Sequence, residues 1–143
     1  MQYSKFFRTH QSILIVDDED STVDALSYVL TVEGYDIVAA ESGPVALAIM
    51  KRKKPDLVIC DFMMPEMTGA QLAMEMRADR RTADIPVILC TGAHVNEAER
   101  QSGLFSTILK KPIRIADLLL HIKNAMPSLL PGDKTSAIDR TGI

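Results

Sequence analysis

Short apolar runs alternate along this chain with longer segments in which apolar residues recur at helical spacing. Five of the runs are typical of buried parallel strands, because they are short, mostly apolar and bounded by polar or turn-forming residues. These predicted strands are Ser12–Val16, Asp36–Ala40, Leu57–Cys60, Ile85–Cys90 and Thr107–Leu109. Strands that alternate with helices favour right-handed crossovers and a parallel sheet covered on both faces. The pattern therefore predicts an α/β fold.

The first two intervening segments predict helices with recognisable ends. Ser21 and Asp24 have the spacing of a capping box, and the apolar repeat that follows them ends at Gly34. Ser42 is the predicted cap of the second helix, which ends in four consecutive basic residues at 51–54. Cations in the last turn of a helix complement its dipole. We therefore interpret the basic residues first as a solvated helix end and second as a docking patch for an acidic partner.

Three more helices are predicted in the second half of the chain. The third starts near Gly69 and closes with Arg81, and the fourth, over Val95–Ser102, is short, weakly anchored and almost wholly polar. The last helix carries an apolar stripe formed by Ile115, Leu118, Leu119, Ile122, Ala125 and Met126, and Pro127 breaks the pattern. Leu120 lies off this stripe, which makes it either an incidental exposed leucine or part of a dimer or partner surface.

Composition and charge narrow the class of protein. With 143 residues, 47% hydrophobic and 24% charged, the chain resembles one ordinary soluble domain, and its net charge of −3 argues against a dominant basic surface for nucleic acid or membrane. No apolar run approaches the roughly 20 residues of a membrane span, and the N-terminus lacks a signal-peptide core, so we expect a cytoplasmic protein. Cys60 and Cys90 each end an apolar run and are interpreted as buried core residues.

Polar side chains follow four of the five predicted strands. Asp17 and Asp18 come after the first strand, Asp61 after the third, Thr91 after the fourth and Lys111 after the fifth. In open parallel sheets, ligands bind at the carboxyl edge, which is where these residues fall. If the four strands are neighbours, all five side chains meet in one shallow site.

This arrangement resembles the receiver domain of response regulators. The resemblance extends over roughly residues 12–126, and it rests on Asp17-Asp18, Asp61, Met64-Pro65, Gly69, Thr91-Gly92 and Lys111-Pro112. It implies a flavodoxin-like (βα)5 three-layer sandwich whose parallel sheet has the strand order 2-1-3-4-5. Residues 1–11 would then be a lead-in, and residues 127–143 a tail or a truncated linker.

The resemblance also implies a Mg²⁺ site, and electrostatics support it. Three carboxylates about 5 Å apart repel one another by roughly 3 kcal/mol per pair at an effective dielectric constant near 20, so they need a cation or protons. Mg²⁺ favours a few carboxylates, retained waters and a phosphate oxygen. In the family pattern, Asp18 and Asp61 bind the ion directly and Asp17 acts through water. The backbone carbonyl of Met63 completes the protein ligands.

A phosphoryl transfer reaction follows from the same resemblance. Asp61 is expected to accept a phosphoryl group from the phosphohistidine of a histidine kinase or from a phosphotransfer protein. Lys111 should pair with Asp61 at rest and with a phosphoryl oxygen afterwards, while the Thr91 hydroxyl donates to another oxygen. The Lys111–Pro112 peptide bond is expected to be cis. The chain would catalyse only its own phosphorylation and dephosphorylation, and would act through protein contacts, without binding nucleic acid.

Two of these assignments have rivals within the chain. Lys110 competes with Lys111 for the phosphate-facing role, since Gly103 lies one residue further from Lys111 than the family pattern suggests. The acidic pair at 17–18 could instead cap the first helix. The three histidines are interpreted as surface or packing residues.

Two other functions compete with the phosphoacceptor. A phosphorylation-independent interaction module would keep the fold with a vestigial acidic site. An aspartyl phosphatase or phosphotransferase would need a second acid two residues after Asp61, where this chain has Met63. The chain also departs from the family pattern at Ile108, where receivers usually carry an aromatic residue that reports the position of the threonine. Output would then pass through ordering of the polar fourth helix.

Overall fold

A single parallel sheet organises the structure, a computed structural model that describes residues 10–126. Its strands are β1 (Ser12–Val16), β2 (Asp36–Ala40), β3 (Leu57–Asp61), β4 (Val87–Thr91) and β5 (Thr107–Lys110). Their order is β2-β1-β3-β4-β5, and each neighbouring pair is parallel. The predicted α/β fold and the flavodoxin-like strand order are confirmed. The predicted tail at 127–143 and residues 1–9 of the predicted lead-in lie outside the described residues.

Helices connect successive strands and cover both faces of the sheet. They are α1 (Asp20–Val32), α2 (Gly43–Arg52), α3 (Gly69–Ala78), α4 (Val95–Glu99) and α5 (Ile115–Ala125), with a turn of 3-10 helix at Ser102–Leu104 before β5. Buried side chains of α2 and α3 belong to one apolar cluster, and buried side chains of α1 and α5 belong to the other. The molecule is therefore a three-layer sandwich with the sheet in the middle.

The middle strands are buried on both faces, so the sheet holds the residues at its edge in fixed positions. Along β1, Leu14 packs in the cluster of α2 and α3, whereas Ile13 and Ile15 pack in the cluster of α1 and α5. Burial on both sides explains why these strands are continuous apolar runs in the sequence, without polar alternation. Cys60 and Cys90 are both buried and free, as predicted.

The first helix begins earlier than the sequence predicts. Helix α1 starts at Asp20 with Glu19 as its N-cap residue, so Ser21 lies inside the first turn and the predicted capping box is wrong. The Asp17 carboxylate accepts a hydrogen bond from the backbone N–H of Glu19 at 2.9 Å. This tight turn starts the helix directly after the acidic pair. The residues of the candidate site and the start of α1 therefore share one turn.

Two further boundaries differ from the prediction for local reasons. Strand β4 begins after Pro86, which has no N–H to donate to the sheet, and not at Ile85. Helix α3 ends at Ala78, and not at Arg81, because Asp79 leaves the helical conformation. The Asp79 carboxylate accepts a hydrogen bond from the backbone N–H of Arg81 at 2.9 Å, which fixes the turn that follows.

The last two predicted helices are correct in position but not in every detail. Only Val95–Glu99 of the predicted fourth helix is α-helical, and its Ala98 is fully buried, so it is better anchored than its polar sequence suggests. Ile115, which the sequence predicts on the apolar stripe of the last helix, is 41% exposed. Leu120 is 56% exposed, as predicted. Within residues 10–126, no helix has both the length and the apolar character that crossing a bilayer requires.

Candidate functional site

Strand β3, at the centre of the sheet, delivers Asp61 to the carboxyl edge. Asp61 pairs in register with Cys90 of β4, and its side chain keeps 16% of its surface exposed. Helix α3 begins close against this strand end. The backbone N–H of Gly69 donates to the Phe62 carbonyl at 2.7 Å, and a Cβ at position 69 would lie 2.5 Å from the Asp61 carbonyl oxygen. Glycine at this position therefore allows the close approach.

Three carboxylates converge at this edge. One oxygen from each of Asp17, Asp18 and Asp61 lies within 4.8 Å of the other two. Asp17 is buried, Asp61 is partly buried and Asp18 is exposed, so the cluster is open to solvent on one side. Neither acid of the pair is the N-cap residue of α1, which is Glu19. The alternative that both acids cap the first helix is not what the structure shows.

The local environment disfavours a negative charge on Asp17. Burial raises the pKa of the Asp17 carboxyl, the hydrogen bond from Glu19 opposes this, and the charges of Asp61 and Asp18 add to the increase. The attraction of Lys111 lowers it again, but the net direction is upward. A carboxyl group held in this way binds a proton or a cation more readily than a free one does. The cluster therefore favours a cation.

Lys111 supplies the positive side chain of the site. Its Nζ donates to Asp61 Oδ1 at 3.0 Å, and its side chain is 34% exposed. Burial lowers the pKa of the Lys111 amine, but the hydrogen bond and charge of Asp61, with the charge of Asp17, raise it overall, so the amine stays protonated. Lys110, the rival, is exposed at the end of β5. The Lys111–Pro112 peptide bond is cis, as the family pattern implied.

The two remaining candidates lie at the neighbouring strand ends. Thr91 ends β4, is 1% exposed, and accepts at its carbonyl a hydrogen bond of 2.8 Å from the backbone N–H of Lys111. Thr91 therefore lies beside the strand that carries Asp61 and beside the loop that carries Lys111. Met63 is two residues past Asp61, in the loop before α3, and its side chain is exposed. The role predicted for Met63 uses only its backbone carbonyl.

One contact between two loops of the site has no signal in the sequence. Phe62, directly after Asp61, is buried, and its ring stacks on the imidazole of His94 with the centroids 5.3 Å apart and the planes 23° apart. His94 is also the N-cap residue of α4 and lies 3.6 Å from the carboxylate of Glu97. The stack joins the loop after β3 to the loop after β4. It agrees with the interpretation of His94 as a packing residue.

An open cleft of about 380 Å³ lies beside the acidic cluster. Asp17, Asp61 and Lys111 line one part of it, and apolar residues of α1 and of the loop after β5, such as Leu26 and Ile113, line another. The site is therefore accessible from outside and can receive a group presented by a second molecule.

The arrangement suits a hard cation together with an anion. Three carboxylates and one ammonium group carry a formal charge of −2 when all four are ionised. A divalent cation would neutralise this charge, and a set of oxygen donors suits Mg²⁺ better than a softer metal. A group with anionic oxygens could then lie between that cation and Lys111. Binding of Mg²⁺ and of a phosphoryl group are both within the chemistry of these side chains.

Comparisons with known proteins agree with this geometry. A family model described as the response regulator receiver domain matches residues 13–123. The phosphate regulon transcriptional regulatory protein PhoB of Pseudomonas aeruginosa is 32% identical over 136 residues, which cover 93% of this chain and 59% of PhoB. The response regulator PleD of Caulobacter vibrioides is 36% identical over 115 residues, which cover 78% of this chain and 25% of PleD.

Solved structures show the same likeness. A putative response regulator from Chloroflexus aurantiacus superposes with a TM-score of 0.76 and 30% sequence identity, over 80% of this chain and 96% of that protein. A response regulator receiver protein from Pseudomonas putida gives a TM-score of 0.73 at 30% identity, over 80% and 97% of the two chains. By contrast, this chain spans only about three fifths of the length of the curated relative PhoB and about a quarter of the length of PleD.

Proposed function

Since this chain belongs to the response regulator receiver domain family, we propose that it accepts a phosphoryl group on Asp61 and passes the signal on through protein contacts. The observation that carries this proposal is the pairing of Lys111 Nζ with Asp61 Oδ1 at 3.0 Å, directly beside the cluster of three acids. A carboxylate held between a fixed ammonium group and a cation site is poised to react with phosphorus and to hold the product.

In the proposed reaction, a carboxylate oxygen of Asp61 attacks the phosphorus of a phosphohistidine on the partner. The new O–P bond forms as the P–N bond breaks, and the electron pair of the broken bond stays on the imidazole. That ring leaves as a neutral imidazole, because its other nitrogen already carries a proton. Lys111 holds Asp61 before transfer and pairs with a phosphoryl oxygen afterwards. The Thr91 hydroxyl donates to another of the phosphoryl oxygens.

A bound Mg²⁺ would supply charge neutralisation for the transferring oxygens. Asp18 and Asp61 would hold the ion directly, and Asp17 would act through a water molecule. The backbone carbonyl of Met63 would be the remaining protein ligand. The fit rests on the oxygen-only donor set and on the excess negative charge of the cluster.

Phosphorylation from a small donor tests this function without the partner. Wild-type protein incubated with acetyl phosphate and Mg²⁺ should gain the mass of one phosphoryl group in intact-mass spectrometry, and chelation of Mg²⁺ should abolish the gain. The Asp61→Asn variant should gain none, whereas the control Asp24→Asn, which removes an exposed acid of α1, should behave as the wild type. Labile phosphorylation of Asp61→Asn would overturn the proposal.

One observation favours a second candidate, an interaction module that works without phosphorylation. Ile108 lies where receivers usually carry an aromatic switch residue, and it packs partly buried beside the core on the α3 face. Such a module would bind its partner with the same affinity whether Asp61 is intact or replaced by asparagine. A loss of partner binding on phosphorylation or on substitution of Asp61 would exclude it.

The proposed partners follow from the proposed chemistry. The phosphodonor is a histidine kinase or a phosphotransfer protein, and the compartment is the cytoplasm. Leu120, exposed on α5, is the residue that we would place in a homodimer or partner contact. PhoB is by name a transcriptional regulatory protein, but this chain matches only 59% of it, and we propose that the chain itself contacts proteins and not nucleic acid.

A further inference from the structure

Six exposed cations lie at the amino edge of the sheet, opposite to the edge that carries Asp61. We name this set the basic strip, and it consists of Lys51, Arg52, Lys53, Lys54, Arg80 and Arg81. Four of them lie at the end of α2 or between α2 and β3, and two follow α3 and precede β4. A helix between parallel strands runs back to the amino edge, so both groups emerge there. Half of the twelve lysines and arginines within residues 10–126 belong to this strip.

Side-chain contacts join the two groups into one surface. The Arg81 guanidinium donates to the carbonyls of Met50 and Lys51, both at 3.1 Å, so it is fixed against the last turn of α2. Lys51 and Arg81 also line the same cleft between α2 and α3. Lys53 and Lys54 line a second, smaller cleft beside β2. The basic strip therefore runs from the β2 side of the sheet to the end of α3.

The helix dipole explains only part of this charge. The last turn of α2 has two cations of its own, and Arg81 binds the free carbonyls of that turn. Lys53, Lys54 and Arg80 have no such role. Within residues 10–126, the side chains of these three form no hydrogen bond and no ion pair. They are solvent-exposed cations that the described residues leave available to a second molecule.

Nearby acids offset most of the charge of the basic strip but do not cancel it. Asp36 lines the cleft of Lys53 and Lys54, and Glu75 and Asp79 line the cleft between α2 and α3. Asp56 and Asp84 lie in the loops that lead to β3 and β4, so six cations and five acids leave a local formal charge of +1, whereas the whole chain carries −3. The positive charge is therefore concentrated at one edge of an otherwise acidic molecule, and the acidic cluster lies at the other edge.

We propose that the basic strip docks an acidic segment of a partner protein, whose Asp or Glu side chains pair with Lys53, Lys54 and Arg80. Asp36 lies beside the β2 end of the strip and Asp79 beside the α3 end, so a short acidic segment meets less repulsion than a long one. A duplex nucleic acid fits less well, because these acids and the net charge of the chain repel an extended polyanion. Because the strip lies opposite to Asp61, the docked segment leaves the acidic site free for a phosphodonor.

Charge reversal at Lys53, Lys54 and Arg80 tests the proposal. The test variant combines Lys53→Glu, Lys54→Glu and Arg80→Glu, and the matched control combines Arg100→Glu, Arg114→Glu and Lys123→Glu, which are exposed cations elsewhere on the surface. The probe is a fluorescein-labelled decaglutamate peptide, followed by fluorescence anisotropy at an ionic strength of about 0.01 M, where the screening length is roughly 30 Å. Arg81 is left intact because it holds the end of α2.

Wild-type protein should bind the peptide, the test variant should bind it at least about tenfold more weakly, and the control should lose no more than about threefold. A neutral variant that combines Lys53→Gln, Lys54→Gln and Arg80→Gln should lose an intermediate amount of peptide affinity, and it guards against misfolding of the charge-reversed variant. Absence of binding to the wild type, or equal losses in the test and control variants, would overturn the proposal. Tighter binding of a random-sequence DNA duplex than of the peptide would overturn it as well.

Discussion

The substitution Asp17→Asn separates the electrostatics of the site from its shape. Asparagine has nearly the same size as aspartate, and its side-chain oxygen can still accept the hydrogen bond that Glu19 donates to Asp17 at 2.9 Å. The substitution removes the charge that lies beside the carboxylates of Asp18 and Asp61. It therefore tests whether the cluster destabilises the protein when no cation is bound.

The size of the effect follows from the spacing of the acids. Two carboxylates 4.8 Å apart repel by roughly 3.5 kcal/mol at an effective dielectric constant of 20. Asp17 has two such neighbours, Asp18 and Asp61. The attraction between Asp17 and Lys111 offsets about one of these two repulsions. Solvent at the exposed Asp18 side weakens the remainder further. We expect Asp17→Asn to raise the free energy of unfolding by about 1–2 kcal/mol at pH 7 in a chelating buffer.

A lower pH and bound Mg²⁺ should each reduce the stability advantage of Asp17→Asn over the wild type. The pKa of Asp17 is raised in the folded protein, so the wild type loses stability as the pH rises from the unfolded value of 3.8 through the folded pKa. The advantage of the asparagine variant should therefore be complete at pH 7 and shrink as the pH falls toward about 4. With Mg²⁺ at about 100 times its Kd, the wild type should gain about 2.7 kcal/mol, and the variant less.

Denaturant unfolding followed by circular dichroism, with and without Mg²⁺, measures these differences. Asp24→Asn is the control, because it removes an exposed acid of α1 outside the cluster and should change the unfolding free energy by no more than about 0.5 kcal/mol. An Asp17→Asn variant no more stable than the wild type in chelator at pH 7 would show that the cluster does not destabilise the protein. Equal stabilisation of both proteins by Mg²⁺ would contradict the expected difference between them.

Three further substitutions test other parts of the structure. Lys111→Met should abolish phosphorylation by acetyl phosphate, whereas Lys110→Met, at the exposed neighbour, should keep the rate within about twofold of the wild type. Equal rates in the two variants would contradict the pairing of Lys111 with Asp61. Gly69→Ala should cost about 1–3 kcal/mol in denaturant unfolding and slow phosphorylation, because the added methyl group meets the Asp61 carbonyl. Arg77→Met should lower the free energy of unfolding by about 2–4 kcal/mol, because the guanidinium donates to three backbone carbonyls at 2.7–2.9 Å. A thermal or denaturant midpoint equal to that of the wild type would show that these hydrogen bonds contribute nothing to stability.

Features that depend on strand burial and strand order could be predicted from the sequence. A strand buried on both faces is a continuous apolar run, so β3 and its terminal Asp61 are visible in the sequence. Strand polarity then places Asp17, Thr91 and Lys111 at the same edge as Asp61. The family pattern predicts that Lys111 pairs with Asp61, but only the structure decides against its rival Lys110, because two adjacent lysines point in different directions from a strand end.

Features that depend on contacts between distant loops could not be predicted. The sequence predicts Arg81 at the end of a helix, yet the guanidinium groups of Arg77 and Arg81 bind carbonyls of other segments, up to 31 residues away. The stack of Phe62 on His94 likewise joins two loops whose separation in sequence carries no periodic signal. The capping-box pattern predicts the start of α1 at Ser21, but the helix starts at Asp20 because a side-chain hydrogen bond to Asp17 sets the turn after β1.

Asp61 itself should carry the phosphoryl group, and chemical reduction of the phosphorylated protein tests this most directly. Borohydride reduces an aspartyl phosphate to homoserine, so reduction after treatment with acetyl phosphate and Mg²⁺, followed by peptide mass spectrometry, locates the modified residue. We expect homoserine at position 61 in the wild type, and none when Mg²⁺ is chelated. Homoserine at position 17 or 18 in place of 61, or no modified aspartate at all in the presence of Mg²⁺, would contradict the claim.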